Sequence, residues 1–279
     1  MNSPFFFQPE ILKNLAERYR LSYEIAKPFP HAVFDNFLPE HLLEDVLAEF
    51  LPPNNEHYNK YNNVNEKKIE MSNEAYLGSA TRHLIAQFNS STFVNFLEHL
   101  SGIQGLIPDP HLMGGGLHQI VSGGMLGIHA DFNWYPRLKL DRRVNFLLYL
   151  NKDWKDEYGG HLELWNASMT NCEQKILPIF NRLVIFSSTD RSYHGHPLPL
   201  TCPEDWSRKS LALYYYTNGR PVTEKTGAHS TVFKRRPGEI FELDPKLGPG
   251  QIFKMVSKKF IPPILLDFLR LIKNRIVKK

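Results

Sequence analysis

The feature that most constrains the fold is a change of hydrophobic periodicity near residue 111. After this point apolar residues recur at the two-residue spacing of strands, and turns rich in Gly, Asn or Pro separate the apolar stretches. The predicted strands are LHQIV, MLGIHADF, VNFLLYLN, GHLELW, NRLVIFSS, SYHGH and SLALYYYT. Because no helix-length segment lies between them over roughly a hundred residues, they predict an antiparallel sandwich or barrel.

The chain before this sheet is predicted to be mainly helical. Within residues 9–50, PEILKNLAERY and LPEHLLEDVLAEFL place apolar residues three and four apart, and STFVNFLEHL repeats this spacing within residues 81–100. KPFPHAVFDNFL, between the first two, is predicted to be extended. Residues 52–78 are polar and rich in Asn, so a long loop or lid is predicted there.

These patterns divide the chain into four predicted regions. Residues 1–110 form an N-terminal helical support region with the lid-like loop, and residues 111–217 form the β core. Residues 218–261 are an irregular extension, and residues 262–279 are a C-terminal basic amphipathic helix.

The charge of the chain is concentrated at its C-terminal end. Residues 264–279 contain five Lys or Arg and one Asp, which equals the net charge of +4 of the whole chain. The remainder is neutral, so a generic basic surface for nucleic acid is not indicated. The apolar stripe of this helix suits docking on the protein itself or a homodimer, and its basic face also suits a peripheral membrane contact.

Cysteine usage and the N-terminus predict a cytoplasmic location. The two cysteines, Cys172 and Cys202, have no CxxC spacing, which argues against a disulfide scaffold or a thiolate zinc site. MNSPFFFQPE lacks the features of a signal peptide, and no stretch approaches eighteen consecutive apolar residues.

GIHADFN, residues 127–133, places a histidine and an aspartate on one face of a predicted strand. His129 and Asp131 are two residues apart, so their side chains point the same way. Such a pair can be an ion pair, a turn contact or half of a metal site. A site of two histidines and one carboxylate is typical of non-haem Fe(II) oxygenases. SYHGHP offers His194 and His196 as the third ligand, and strand alternation cannot choose between them.

A second set of side chains suits an anion. On SLALYYYT and the residues just before it, Arg208 and Ser210 share a strand face, and a guanidinium beside a hydroxyl can hold a carboxylate. Tyr149 of VNFLLYLN can bring a phenol to the same anion, and Asn145 shares its face. A buried arginine without an anionic partner is unfavourable, so this cluster predicts an acidic ligand.

Several motifs in order resemble one known family. HADFN, RRVNFLLYLNKDWKDEYGGHLELW, NRLVIFSS, SYHGHP and RKSLALYYYT are similar to the prolyl-4-hydroxylase-like Fe(II)/2-oxoglutarate-dependent dioxygenases, over roughly residues 110–217. YLNKDW followed by GG-x-L resembles the hypoxia-sensing prolyl hydroxylases in particular. The resemblance implies a mainly β chain with flanking helices, in which N-terminal helices pack on a double-stranded β-helix (jelly-roll or cupin-like) core.

The resemblance also implies roles for single residues. His129, Asp131 and a distal histidine would be the iron ligands, and HGH puts His194 rather than His196 in the distal place. No catalytic residue beyond the metal site is implied.

The co-substrate residues follow from the same resemblance. Arg208 and Ser210 would bind the distal carboxylate of 2-oxoglutarate, with Tyr149 hydrogen-bonded to it. Leu162 of GGHL would pack on the methylenes of the co-substrate, and Asn145 is grouped with these residues.

The implied activity is hydroxylation of a C–H bond with O2, as 2-oxoglutarate is converted to succinate and CO2 and ascorbate serves as reductant. The substrate stays open between a prolyl residue or other amino-acid side chain, a sugar, a lipid-linked molecule and a small natural product. Two other classes are a non-catalytic cupin-like binding module and a zinc hydrolase. A zinc hydrolase would not require the Arg208–Ser210 anion site.

Overall fold

The computed structural model describes residues 6–239, so the predicted helix over 262–279 and the end of the 218–261 extension lie outside the described residues. The helices are α1 (Pro9–Ile25), α2 (Glu40–Ala48), α3 (Ser79–Phe88) and α4 (Ser91–Ser101). The strands are β1 (His31–Asp35), β2 (Asn59–Asn62), β3 (Glu66–Met71), β4 (Ile107–Pro108), β5 (Gly116–Val121), β6 (Met125–Ala130), β7 (Trp134–Tyr135), β8 (Leu140–Tyr149), β9 (Leu162–Trp165), β10 (Cys172–Ile176), β11 (Arg182–Ser187), β12 (Tyr193–His196), β13 (Ser207–Thr217) and β14 (Val232–Phe233).

The helices form where periodicity and capping residues coincide, and α4 is the clearest example. The hydroxyl of Ser90 accepts a hydrogen bond from the backbone N–H of Phe93 at its N-terminus. Gly102 closes the helix in the left-handed conformation, with φ 74°. Between these caps the apolar face of α4 is buried, and α1 packs against it. The predicted helices over 9–50 and 81–100 are therefore present, interrupted as expected by an extended segment that forms β1.

An aromatic cluster joins the helices to the sheet. Phe93 of α4 has no exposed surface and lies at the centre of this cluster. Its ring neighbours are Phe7, Phe37, Phe88, Phe96, Phe146 and Tyr215. Because Phe146 and Tyr215 belong to β8 and β13, the N-terminal helices and the central strands share one core.

We expect the Phe93→Ala variant to lose about 3–5 kcal/mol of unfolding free energy, because the cavity it leaves is surrounded by rings that cannot all collapse into it. Chemical denaturation of the full chain measures this loss. Leu21→Ala on α1 is the control: Leu21 is 68% exposed, so a change within about 0.5 kcal/mol is expected. Equal effects of the two substitutions would contradict the proposed position of the core.

The sheet is antiparallel throughout and folds over on itself. Its strand order is β1-β11-β8-β13-β5-β3-β6-β12-β9-β10. Outside this order, β2 pairs with β3 and β14 pairs with β6. In this spatial order β1, β11, β8, β13 and β5 form one half of the sheet, and β6, β12, β9 and β10 form the other. This arrangement confirms the predicted mainly β, double-stranded β-helix-like core with N-terminal helices packed on it.

The predicted loop over 52–78 is the main departure from the sequence analysis. It contains the hairpin β2–β3, whose second strand pairs with both β5 and β6 and so connects the two halves of the sheet. These strands are too polar for periodicity to detect them, and they form because β5 and β6 offer unpaired edges. The segment predicted as a helical support region thus adds β1, β2, β3 and β4 to the sheet.

Both cysteines are free thiols, Cys202 buried and Cys172 partly exposed. Among the helices of residues 6–239, none has the length and apolar character needed to cross a bilayer.

Candidate active site

A cavity of about 350 Å³ lies between the two halves of the sheet. Its walls come from strands far apart in sequence: β2, β3, β5, β6, β8, β9, β11, β12, β13 and β14. The chemistry-bearing side chains among its lining residues are Tyr61, Glu66, Lys68, Glu70, His118, His129, Asp131, Arg142, Asn145, His194, His196, Arg208, Ser210 and Tyr214. Most of the predicted site residues therefore meet in one enclosed space.

Three buried side chains converge at one end of this cavity. One ligand atom from each of His129, Asp131 and His194 lies within 4.8 Å of the others. Nε2 of His129 is 3.5 Å from Oδ1 of Asp131, and Nε2 of His194 is 3.5 Å from Oδ2. Two imidazole nitrogens and one carboxylate oxygen at this spacing fit a divalent metal, with positions left open for other ligands.

The backbone orients both imidazoles for this role. Nδ1 of His129 donates to the carbonyl oxygen of Gly127, and Nδ1 of His194 donates to that of Ser192, each at 2.9 Å. Donation from Nδ1 leaves the lone pair on Nε2, which faces Asp131. Burial lowers the pKa of His194 to about 4, so this imidazole is neutral and able to bind a metal at neutral pH.

Strand pairing separates the two candidate distal histidines. His194 pairs directly with His129, whereas the register shifts before His196, which pairs with Leu126. Gly195 permits the close approach of β12 to β6, because a Cβ atom there would lie 2.7 Å from the carbonyl oxygen of Gly127. The structure thus groups His194, and not His196, with the other two ligand candidates.

A buried arginine and amide hold Asp131. Arg142 Nη2 is 3.1 Å from Oδ2 of Asp131, and the amide of Asn145 donates to the same oxygen at 2.6 Å. Arg142 Nε also donates to Asn145 Oδ1. Burial alone raises the pKa of Asp131, but the charge of the Arg142 guanidinium holds it well below its ordinary value. The carboxylate is therefore ionised and fixed in position.

The sequence analysis missed Arg142 because strand alternation is broken beside it. Tyr215 of β13 pairs with Val144, but Tyr216 pairs with Arg142, so one extra residue of β8 bulges out between them. The extra residue of a bulge shifts the alternation of side chains by one position, so the residues before it point to the face opposite to that of a regular strand. Arg142 consequently reaches the same site as Asn145, although a regular strand would place the two on opposite faces.

The sequence analysis grouped Asn145 with the co-substrate residues, whereas the structure places its amide on Asp131. Because partners of this kind orient metal ligands, we expect Asn145→Ala to weaken metal affinity by about 10- to 100-fold. Titration of the full chain with Mn(II), followed by electron paramagnetic resonance, measures this change. The control is Asn218→Ala, at an exposed position. Unchanged affinity in the Asn145 variant would show that this hydrogen bond does not support the metal site.

The predicted anion site lies along the same cavity. Arg208 and Ser210 are buried on β13 and line the cavity wall, as does Leu162 of β9. Arg208 Nε donates to the carbonyl oxygen of Gly160, which fixes the guanidinium. Gly160 allows this packing, because a Cβ atom there would lie 2.9 Å from Arg208 Cδ and its φ is +72°.

Tyr149 is fully buried behind the wall and supports the guanidinium. Its hydroxyl oxygen accepts a hydrogen bond from Arg208 Nη2 at 3.2 Å, so its own proton remains available to an acceptor. Arg208 forms no ion pair with a carboxylate among residues 6–239. A buried guanidinium without a counter-charge fits an anionic ligand, as the sequence analysis predicted.

Two further histidines line this part of the cavity. Nε2 of His118 and both ring nitrogens of His196 are buried without a hydrogen-bond partner in the described part of the chain. His118 pairs with Ser210 across β5 and β13, so the two side chains are neighbours on one face. The ring nitrogens of His196, which have neither a hydrogen bond nor an ion pair in the described residues, are a second indication that this space accommodates a polar ligand.

The β2–β3 hairpin forms a charged rim on the cavity. Glu70 accepts hydrogen bonds from Tyr61 and Lys68, and His118 lies 3.8 Å from it. Burial alone raises the pKa of Glu70, but His118 and then Lys68 lower it, so the carboxylate is ionised. This rim was predicted only as a polar lid.

This chain is similar to a family model and to a curated protein. Residues 115–216 match the model described as the 2OG-Fe(II) oxygenase superfamily. The prolyl 3-hydroxylase OGFOD1 of Mus musculus is 26% identical over 196 residues, which are 68% of this chain and 33% of that protein. The chain thus spans about a third of the length of this curated relative.

Solved structures share the fold. A prolyl-4-hydroxylase from Pseudomonas putida has a TM-score of 0.52 and 18% identity, and the match covers 75% of this chain and 100% of that one. A prolyl hydroxylase from Trichoplax adhaerens, solved in complex with a hypoxia inducible factor oxygen degradation domain peptide fragment, has a TM-score of 0.50 and 21% identity, and covers 77% and 94%. At these identities the likeness concerns the fold alone.

Proposed function

We propose that this chain is an Fe(II)- and 2-oxoglutarate-dependent hydroxylase, from the premise that residues 115–216 belong to the 2OG-Fe(II) oxygenase superfamily. The observation that carries the proposal is one cavity that contains both required sites. The cluster of His129, Asp131 and His194 suits iron, and Arg208 with Ser210 suits the distal carboxylate of a keto-diacid. A non-catalytic binding module would not require a metal site and an anion site in the same cavity.

The side chains of the cavity have distinct tasks in this proposal. When bound, iron and 2-oxoglutarate supply the oxidising chemistry that hydroxylates a C–H bond and yields succinate and CO2. His129, Asp131 and His194 would hold the metal, while Arg142 and Asn145 keep the carboxylate of Asp131 ionised and oriented.

The wall of the cavity orients the co-substrate. Arg208 presents its guanidinium in the position set by Gly160 and Tyr149, and Ser210 adds a hydroxyl. Leu162 and Phe186 give the wall an apolar surface suited to methylene groups.

For the substrate we propose a peptidyl residue, with proline first. One support is similarity: the curated relative is a prolyl 3-hydroxylase, and the sequence motifs resemble those of prolyl hydroxylases. The other is the charged rim formed by the β2–β3 hairpin, which offers hydrogen-bond partners to a peptide backbone. Free amino acids, sugars, lipid-linked molecules and small natural products are the competing classes.

Turnover tests the proposal directly. The full chain, with Fe(II), O2, ascorbate and 2-oxoglutarate, is expected to form succinate, and to add one oxygen atom to a member of a panel of proline-containing peptides. Mass spectrometry detects the added oxygen, and the panel includes the competing substrate classes. Absence of succinate with every substrate, together with absence of calorimetric binding of 2-oxoglutarate, would leave the cupin-like binding module as the function.

The remaining predictions concern partners and location. A homodimer or membrane contact through residues 262–279, the cytoplasmic location and the use of ascorbate stay predictions from the sequence. Hydrolysis of a candidate substrate by the zinc-loaded protein without 2-oxoglutarate would instead support the zinc hydrolase.

A further inference from the structure

His196 is a buried cavity residue to which neither proposed site assigns a task. It lies on β12 two residues after His194, so both side chains line the cavity. Only 3% of its surface is exposed. Within residues 6–239 neither of its ring nitrogens has a hydrogen-bond partner.

The neighbouring histidines show that this is unusual. His129 and His194 each satisfy Nδ1 with a backbone carbonyl and direct Nε2 to the metal site. An imidazole buried without any partner destabilises the folded protein, and an aliphatic side chain would fit the adjoining wall of Ile120 and Leu162 without this penalty. A polar residue at this position therefore points to a ligand that supplies the missing partner.

The position of His196 identifies which part of a ligand it can reach. Two residues of a strand advance by about 7 Å, so His196 is displaced from the metal ligand His194 by roughly the length of a five-carbon diacid. His194 and Gly195 pair with Leu164 and Glu163 of β9, so β12 runs from the metal ligands towards the β9 end that follows Gly160. The carbonyl oxygen of Gly160 accepts the hydrogen bond from Arg208 Nε. The imidazole thus lies along the cavity towards the guanidinium, at the end remote from the metal.

We propose that His196 donates a hydrogen bond to the distal carboxylate of 2-oxoglutarate, as an additional donor beside Arg208 and Ser210. This inference rests on the proposed function. An imidazole has at least one N–H in either protonation state, and a carboxylate accepts about four hydrogen bonds. Because both ring nitrogens are shielded in the structure, this role requires the ring to turn about its Cβ–Cγ bond towards the ligand, a rotation with a broad energy profile.

Calorimetric titration of the full chain, loaded with Mn(II) in place of iron, tests this role without turnover. We expect His196→Leu to bind 2-oxoglutarate about 10- to 100-fold more weakly, the range for a hydrogen bond to a charged group. His196→Gln retains an N–H donor and is expected to recover part of the affinity. The control is His161→Leu, because His161 bonds the exposed Asp156 and does not line the cavity.

Two further measurements separate this role from a structural one. The metal-free His196→Leu protein is expected to melt about 2–4 °C higher, because an unpaired polar group has been removed. With 2-oxobutyrate, which has no distal carboxylate, wild type and His196→Leu are expected to bind equally well. A lower melting temperature, or an equal loss with both keto acids, would overturn the assignment.

The outcomes distinguish this inference from the proposed function. If wild type binds 2-oxoglutarate and His196→Leu binds it equally well, the role of His196 is refuted and the proposed function stands. Loss of Mn(II) affinity in His196→Leu would also refute it, by placing His196 in the metal site. If wild type itself does not bind 2-oxoglutarate, the proposed function fails.

Discussion

The Asp131→Ala variant is expected to lose turnover of 2-oxoglutarate and much of its stability together. Removing the only carboxylate of the proposed metal site should lower succinate formation by more than about 100-fold. This exceeds the effect expected for replacing a residue, such as Asn145, that only hydrogen-bonds to a metal ligand. The same change leaves Arg142, 2% exposed, without its anionic partner. Breaking a buried ion pair in this way costs about 3–5 kcal/mol, which denaturation of the metal-free protein measures.

A second variant separates the two effects of this change. The double variant Asp131→Ala with Arg142→Met removes the unpaired charge, so its stability should recover while turnover stays absent. Asp156→Ala is the matched control, because Asp156 also pairs with a histidine but is largely exposed. Turnover by Asp131→Ala would refute the metal site. Unchanged stability of Asp131→Ala would refute the role assigned to the Arg142 pair.

Replacing Arg208 by methionine should abolish tight binding of 2-oxoglutarate but leave metal binding intact. Truncating one partner of a buried, hydrogen-bonded charge pair costs about 2–5 kcal/mol, or roughly 30- to 3000-fold in Kd. Arg208→Lys keeps the charge but loses the planar fork and the contact with Gly160, so an intermediate affinity is expected. Calorimetry with 2-oxoglutarate and paramagnetic resonance of bound Mn(II) measure the two quantities separately.

Arg182 offers a matched control for the loss of an arginine. It lies on β11, pairs with Tyr149 across the strands, and forms a two-pronged ion pair with Asp35 of the edge strand β1, with distances of 2.5 and 2.8 Å. Arg182→Met should leave the Kd for 2-oxoglutarate unchanged. If Arg208→Met also leaves it unchanged, the anion site is elsewhere. If Arg208→Met loses Mn(II), the substitution acts on the fold and not on the anion site.

Local patterns were sufficient for most of the strands and helices. The β core was predictable because alternation of apolar residues reflects the two-residue period of each strand, and caps such as Ser90 and Gly102 mark α4 in the sequence. The β2–β3 hairpin was not predictable. Most of its residues are polar: one face of β3 places Lys68 and Glu70 at the cavity, and only Ile69 and Met71 on the other face pack in the core, too few to reveal a strand by alternation.

By itself the sequence determined which residue types are available for chemistry and in which order they occur: HxD, a distal HGH and RxS on strands of a β core. Only the tertiary structure decided how they combine. Pairing of β12 with β6 put His194 against His129, and a bulge in β8 turned Arg142 towards Asp131. The reason is that strand period is a property of neighbouring residues, whereas register and bulges depend on hydrogen bonds between segments far apart in the chain.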